Sequence, residues 1–365
     1  MSIHFSKQNW NNIRSVYNAW WKRELERPVI NLTFTAAPSD IEKPKDYIAQ
    51  QMWQYPEDTP VEQILQNDLY TLSTQRFTAD AYPMVLPDYG AGVNAAFCGC
   101  KPIRGNGTVW FHPPAPDINP QDLHLTHHPE SKLYNLIREY YEKAREIFED
   151  NVVLGMTHLN NGIDTVARFF DAEPMLLALH DYPEEIKRLV SENHRLFLNY
   201  LKEFSNCMGK VPGYSCWGGI YGEKPWFGVQ SDFCYMIGPD DFQEFILPEL
   251  EQCWQLNSEA NFYHLDGPGQ LIHLDAILDS PNLRCVQWVP GAGAAAPIEW
   301  PEIYKKITEK GKNIWYMGEL KELEQIANIC GTSRGLYWQG HIPWVKRDES
   351  LSLLKRLNVP TNIGG

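Results

Sequence analysis

Residues 262–269 read Phe262-Tyr263-His264-Leu265-Asp266-Gly267-Pro268-Gly269, an apolar run that passes directly into a polar tip and a Gly-Pro-Gly turn. Side chains of a β-strand alternate between its two faces, so His264 and Asp266 point to the same side. The apolar body predicts a buried strand, and the abrupt change to His, Asp and Gly marks its carboxyl end. What lies on either side of this strand decides what kind of sheet it joins.

On its amino side, Phe242, Phe245, Ile246, Leu250 and Cys253 recur at helical spacing, and Ile186, Leu189, Val190, Phe197, Leu201 and Phe204 do the same further back. A third stripe runs through Leu133, Leu136, Ile137, Tyr140, Tyr141, Ala144, Ile147 and Phe148. Short β-branched or aromatic runs separate these helices: Val152 to Met156, Val211 to Cys216, Asn261 to Leu265, Cys285 to Val289, Ile314 to Met317 and Gly335 to Gln339. Strands that alternate with amphipathic helices predict βαβ units and a parallel sheet. Val29 to Thr33 and Met84 to Leu86 bring the strands to eight, so the expected fold is α/β, a (β/α)8 TIM barrel.

The first third of the chain is less regular. Thr59-Pro60-Val61-Glu62 resembles a capping box with Pro at the first helical position, and it predicts a helical excursion through Leu69. Residues 88 to 130 are rich in Gly, Pro and His and contain a strand-like Thr108 to Phe111. They predict a long loop or small hairpin over the barrel mouth. No repeat, low-complexity tract or linker divides the chain, and residues 1–365 are expected to form one domain.

Composition narrows the function. The 365 residues carry 46 Asp and Glu against 32 Lys and Arg, with no basic tract, which argues against nucleic acid or an anionic membrane surface as partner. No stretch is apolar enough for a signal peptide or a membrane span, so a cytoplasmic location is expected. The eight cysteines form no CxxC pair or dense framework and are read as reduced thiols; Cys98-Gly99-Cys100 could bind a soft metal or be two loop cysteines.

In a barrel of this kind the reacting groups come from the carboxyl ends of the strands, which converge on one mouth. Those positions are Asp88, His158, Trp217, His264 with Asp266, Trp288, Glu319, and Gln339 with His341. His264 and Asp266 could hold a divalent metal or form a base and its orienting carboxylate; the alternative is a His capping the next helix and an Asp bonding its own turn. Glu319 could be a ligand, an acid, or a first-turn carboxylate favoured by a helix dipole. His341 lies just past the last strand and could join the metal ligands or be structural. Asp232, on the loop after Trp217, could contact substrate or only the loop backbone. His158 stands beside Asn160 and Asn161, either of which could cap a helix.

Thirteen tryptophans are many for this length, and Trp217, Trp226, Trp288 and Trp338 fall at or near strand ends. They could stack on a flat or sugar-like ligand or simply pack the core. His158, Trp217, Trp288, Trp338 and Gln339 are therefore the expected substrate contacts. The run Pro290-Gly291-Ala292-Gly293-Ala294-Ala295-Ala296-Pro297 is not a dinucleotide fingerprint, because Pro297 blocks the helix such a motif opens.

Between residues 130 and 357 the chain resembles the uroporphyrinogen decarboxylase superfamily. The resemblance rests on the order of elements, on Ile237-Gly238-Pro239-Asp240-Asp241-Phe242 through Leu247-Pro248, and on Tyr263-His264-Leu265-Asp266. That superfamily includes methyltransferases serving corrinoid proteins and is related to the catalytic domain of cobalamin-independent methionine synthase. True uroporphyrinogen decarboxylases carry an Arg-rich segment of the form RQAGRY near the amino terminus; here Arg27-Pro28-Val29-Ile30-Asn31-Leu32-Thr33-Phe34 occupies that region without an arginine pair. The polyanionic substrate of those enzymes is thus disfavoured.

The methyltransferase branch binds zinc through a His-x-Cys strand and a later Cys. Here Asp266 stands in the place of the first Cys, and Gln339 to His341 lie near the place of the second. The resemblance implies a methyltransferase-like enzyme of a small molecule, with a harder, oxygen-containing site for zinc, another divalent metal, or none. No Asp-x-His-x-x-Gly corrinoid motif occurs, since Asp122-Leu123-His124 is followed by Leu125-Thr126-His127; any corrinoid would belong to a separate partner protein. Two alternatives stand beside this reading: a decarboxylase or lyase of a small acid, with Asp232 or Asp266 protonating a carbanion, and a non-catalytic barrel that binds a ligand on its tryptophans. A homodimer is compatible with either enzyme.

Overall fold

The computed structural model describes residue 3 and residues 5–48, 51–105 and 107–362. Its strands are β1 (Val29–Thr35), β2 (Arg76–Ala79), β3 (Met84–Val85), β4 (Lys101–Gly105), β5 (Thr108–His112), β6 (Val153–Leu154), β7 (Gly228–Gln230), β8 (Phe262–Asp266), β9 (Cys285–Val289), β10 (Asn313–Tyr316) and β11 (Leu336–Pro343). Seven of them form one sheet in the order β2-β1-β11-β10-β9-β8-β7. Every ladder in it is parallel except that between β1 and β2. Helices alternate with the strands, as a parallel sheet requires, because each crossover must return the chain to the same edge direction.

Eight strands were expected to close a barrel, but the ladders among the described residues do not close. β3 pairs only with β6, and a single parallel bridge from Met156 to Cys216 extends that pair. The strand expected over Val211–Cys216 is absent as a ladder. Pro212 has no N–H to offer, and the chain doubles back so that Tyr214 and Gly222 exchange backbone bonds of 2.8 Å. The pairing with β8 is taken instead by β7, twelve residues beyond Cys216, which the sequence pattern did not single out. The antiparallel β2, fed by the excursion helix, was also unforeseen.

Two helices differ from expectation in instructive ways. The excursion helix spans Val61–Ser73 and its cap residue is Pro60, with no side-chain bond from Thr59. The stripe from Phe242 to Cys253 is not one α-helix: Phe242–Ile246 is a π turn that leads into the helix Leu247–Leu256. Pro248 supplies the cause, since its missing N–H removes the bond that a regular helix would send back four residues. The segment over the mouth contains the antiparallel hairpin β4–β5, with Trp110 half exposed.

The helix Lys7–Trp21 covers the amino-terminal ends of the strands. Trp20 is fully buried; its Nε1 donates to the carbonyl of Leu336, the first residue of β11, at 3.1 Å. Asn313, the first residue of β10, donates through Nδ2 to the Trp20 carbonyl at 3.1 Å. Arg27 forms two bonds of 2.6 and 2.8 Å to Asp80, whose Oδ2 also accepts from the Ile30 N–H. With this end sealed by tryptophan and a bidentate ion pair, the opposite, carboxyl-terminal end is where polar side chains collect.

Candidate active site

Alternation along β8 is visible in its contacts. Phe262 meets Trp217 and Trp315 at ring separations of 4.9 and 5.3 Å, and His264 meets Trp217 at 5.4 Å, so these residues face the inner side of the sheet. Tyr263 faces the helix Leu247–Leu256 and packs on Trp254. Asp266, two residues past His264, shares its side; the carboxylate Oδ2 lies 3.9 Å from His264 Nε2. Asp232 comes from the short helix after β7, and one ligand atom each from Asp232, His264 and Asp266 fall within 4.8 Å of one another.

Neutral amides orient this trio. The register aligns Gln230 of β7, His264 of β8 and Gln287 of β9 side by side. His264 Nδ1 bonds Gln287 Oε1, while Gln287 Nε2 points at Met317 Sδ, 3.0 Å away. With Nδ1–H donating to that oxygen, Nε2 keeps its lone pair toward Asp266, the tautomer a metal ligand or base needs. Gln230 bonds His158 Nε2 through Oε1 at 3.1 Å and donates from Nε2 to Asp232 Oδ2 at 2.9 Å. The His158 ring stacks on Trp217 at 4.9 Å and 18°.

Burial sets the protonation states. His158 is pushed down to about 4 by burial, which outweighs the bond it donates to Gln230 Oε1, and it is neutral at physiological pH. His264 is lowered by burial, against the opposing effects of Gln287 and Asp266. Asp232 is pushed up to about 7 by burial and by the neighbouring carboxylates of Asp164 and Asp266. Asp164, fully enclosed in the helix Gly162–Val166, is raised by burial although it accepts the backbone N–H groups of Asp232 and Phe233 at 2.9 and 3.0 Å. Those two bonds fix the loop that carries Asp232.

A cavity of about 610 Å³ opens beside the trio, and Asp232 belongs to both. Trp110, His112, Asp164, Arg168 and Met236 are among its walls. Arg168 Nε and Asp232 Oδ1 are enclosed there and have no hydrogen-bond partner. Sequence reasoning missed Asp164, Arg168, Gln230 and Gln287. The first two had a signal: they lie four residues apart just after the third predicted strand, so one helical face carries an acid and a base toward the mouth.

The remaining sequence-predicted residues are dispersed. Gln339 is on the inner side, against Gly219, where a side chain on that residue would collide with it. The Gly219 carbonyl in turn accepts from Asn31, Tyr82 and Tyr337. Trp288 neighbours Gln287 and faces the other way, buried against Trp300. Trp338 likewise opposes Tyr337 and Gln339 in parity, and its Nε1 donates to the Gly318 carbonyl at 2.9 Å. Glu319 is exposed and pairs with Lys321. His341 is exposed opposite Thr33 and is not part of the donor trio. Cys98 and Cys100 are buried free thiols near Tyr200 and the Arg168 carbonyl.

The chain shares its fold with a methyltransferase. It superposes on the "methyltransferase from Methanosarcina mazei" with a TM-score of 0.56 over 91% of this chain and 93% of that one, at 12% sequence identity. No family model and no curated protein sequence matches the chain. Among the described residues, no helix is long and apolar enough to cross a membrane.

Proposed function

We propose that this chain is a methyltransferase-like enzyme of a small molecule, a single domain built as an interrupted (β/α)8 barrel whose reacting groups surround Asp232, His264 and Asp266. The observation that carries the reading is the convergence of those three donors at the carboxyl ends of parallel strands, beside a cavity large enough for a small substrate. The methyltransferase of similar shape supports the class of reaction. A separate corrinoid protein is the proposed partner in methyl exchange.

The donor set suits a divalent cation. Asp232 Oδ1 has no partner, His264 is held with Nε2 free, and Asp266 is partly exposed at the tip of β8. Two carboxylates and one imidazole accept zinc or a harder metal such as manganese. When bound there, the metal would act as a Lewis acid on a substrate heteroatom. Gln287 orients His264, Gln230 holds Asp232 and His158 at a fixed separation, and Trp217 supplies an apolar wall that limits water. Arg168 would receive a negative substrate group in the adjoining cavity.

Metal analysis of protein purified without chelator tests this reading. About one divalent ion per chain is expected at these three donors, counted as the difference in metal content between the wild type and His264→Ala, and its loss should be accompanied by loss of binding of methyl-donor candidates. Equal metal content in the wild type and His264→Ala, with binding unchanged in the variant, would overturn it.

One feature favours a second reading, a lyase of a small acid. Asp232 titrates near neutrality and lies in the cavity with the unpartnered Arg168 Nε, so one residue could seat a carboxylate while the other protonates a carbanion. Carbon dioxide release from candidate acids, abolished in Asp232→Asn, would select this reading over methyl transfer.

A further inference from the structure

Behind the candidate active site, three metal-ligating side chains of different chemistry meet between two helices. His194 comes from the helix Pro183–Met208, and Glu249 and Cys253 stand one turn apart on the helix Leu247–Leu256. His194 Nδ1 lies 3.0 Å from Glu249 Oε1, Cys253 Sγ lies 3.1 Å from the same oxygen, and Sγ lies 3.9 Å from Nδ1. Glu249 and Cys253 are buried, and only the edge of His194 reaches solvent.

We propose that His194, Glu249 and Cys253 form a second metal site, of the zinc type, distinct from the trio at the strand ends. Zinc bonds of about 2.0–2.3 Å in a tetrahedron place ligand atoms roughly 3.3–3.8 Å apart, so these three donors need to move by only a few tenths of an ångström. Imidazole, carboxylate and thiolate are the donor types zinc accepts, and the single sulphur favours it over magnesium or calcium. The surroundings hold the carboxylate as a ligand would be held. Asn161 Nδ2 donates to Glu249 Oε2 at 2.8 Å, leaving Oε1 for the metal. Gly162 stands where a Cβ would come within 2.7 Å of Oε2, so the close approach depends on its having no side chain. Binding displaces the Cys253 thiol proton to solvent, and the fourth position is left to water.

The site is also wired to the first. Asn161 Oδ1 accepts the backbone N–H of Gln230 at 3.2 Å, and the Gln230 side chain joins His158 to Asp232. A metal that fixes Glu249 would thereby fix Asn161 and the end of β7.

Cobalt reports on this site selectively, because the strand-end trio contains no sulphur. The full chain is produced in cobalt-supplemented medium and also titrated with cobalt(II) after chelator treatment. A near-ultraviolet thiolate-to-cobalt band is expected in the wild type and in His264→Ala, and its loss is expected in Cys253→Ser and His194→Gln, with circular dichroism confirming that each variant is folded. Absence of the band in folded wild-type protein by both routes, or its persistence in Cys253→Ser, would overturn the proposal and leave the trio as a hydrogen-bonded cluster. Neither result depends on whether the strand-end site transfers methyl groups.

Discussion

Gln287 touches His264 through one end of its amide and Met317 through the other, so its orientation is fixed before any ligand arrives. Gln230 does the same between His158 and Asp232. Neutral amides can hold imidazole and carboxylate side chains without adding charge to a site that already collects Asp164, Asp232 and Asp266. Gln287→Leu keeps the volume and removes the bond. It is expected to weaken divalent-metal binding by about 10–100-fold, as removal of an orienting partner behind a metal-ligating His does. Calorimetric titration checks it, and an unchanged affinity in a folded variant would show that His264 needs no such support. At this scale His264 and Asp266 were legible because charged residues at a strand end stand out, and Asp232 because a carboxylate on a loop at the barrel mouth can contact substrate. Gln230 and Gln287 were not, because an uncharged residue inside a strand carries no chemical signal until register is known. Trp288 and Trp338 were misjudged for a related reason: being near a strand end says nothing of parity, and one residue's shift sends a ring to the helical layer.

Elements were legible where one pattern dominated. β8 to β11 and the long helices were read from periodicity, and the π turn before Pro248 and the split fourth strand were not. Both of those depend on what a missing N–H does to neighbouring pairings, which is a tertiary outcome. The amino-terminal helix was not singled out at all, although its tryptophans seal the floor of the sheet. Trp20 joins the starts of β10 and β11 through its own carbonyl and Nε1 and packs on Trp21 and Tyr337. Trp20→Ala would leave a cavity and an unpaired Leu336 carbonyl, and a loss of about 3–5 kcal/mol is expected by urea denaturation. Metal binding at the strand ends should survive in whatever fraction stays folded, because the floor and the mouth lie at opposite ends of the strands. A loss under about 1 kcal/mol would mean that the helix is only loosely docked.

For the whole molecule, one buried pair makes a contribution to stability that falls as pH rises through the weakly acidic range, as does that of Asp232, while the buried neutral imidazoles of His158 and His264 contribute in the opposite direction. Asp68, on the helix Val61–Ser73, accepts from Tyr140 Oη at 2.6 Å, joining that helix to Lys132–Phe148. Burial pushes the carboxyl up to about 6, against the opposing effect of the Tyr140 bond. Because the folded value lies above the unfolded value near 3.9, the contribution is fully present below about pH 4 and is lost as pH rises through about 6. Between about pH 5 and 7.5 the chain should lose roughly 1 kcal/mol from this group. The formal charge of −14 acts in the same direction, since ionising one more carboxyl adds to self-repulsion. Glu192 opposes the trend at lower pH: partial burial raises it, but its bonds from the Leu125 N–H, His124 and Arg188 prevail and lower it, so its contribution fades on acidification. Asp68→Asn keeps an acceptor for Tyr140 and removes the titration. Urea denaturation across that pH range should then show the stability of Asp68→Asn gaining on that of the wild type by roughly 1 kcal/mol as pH rises; a difference between the two proteins that does not change with pH would show that Asp68 does not carry this contribution.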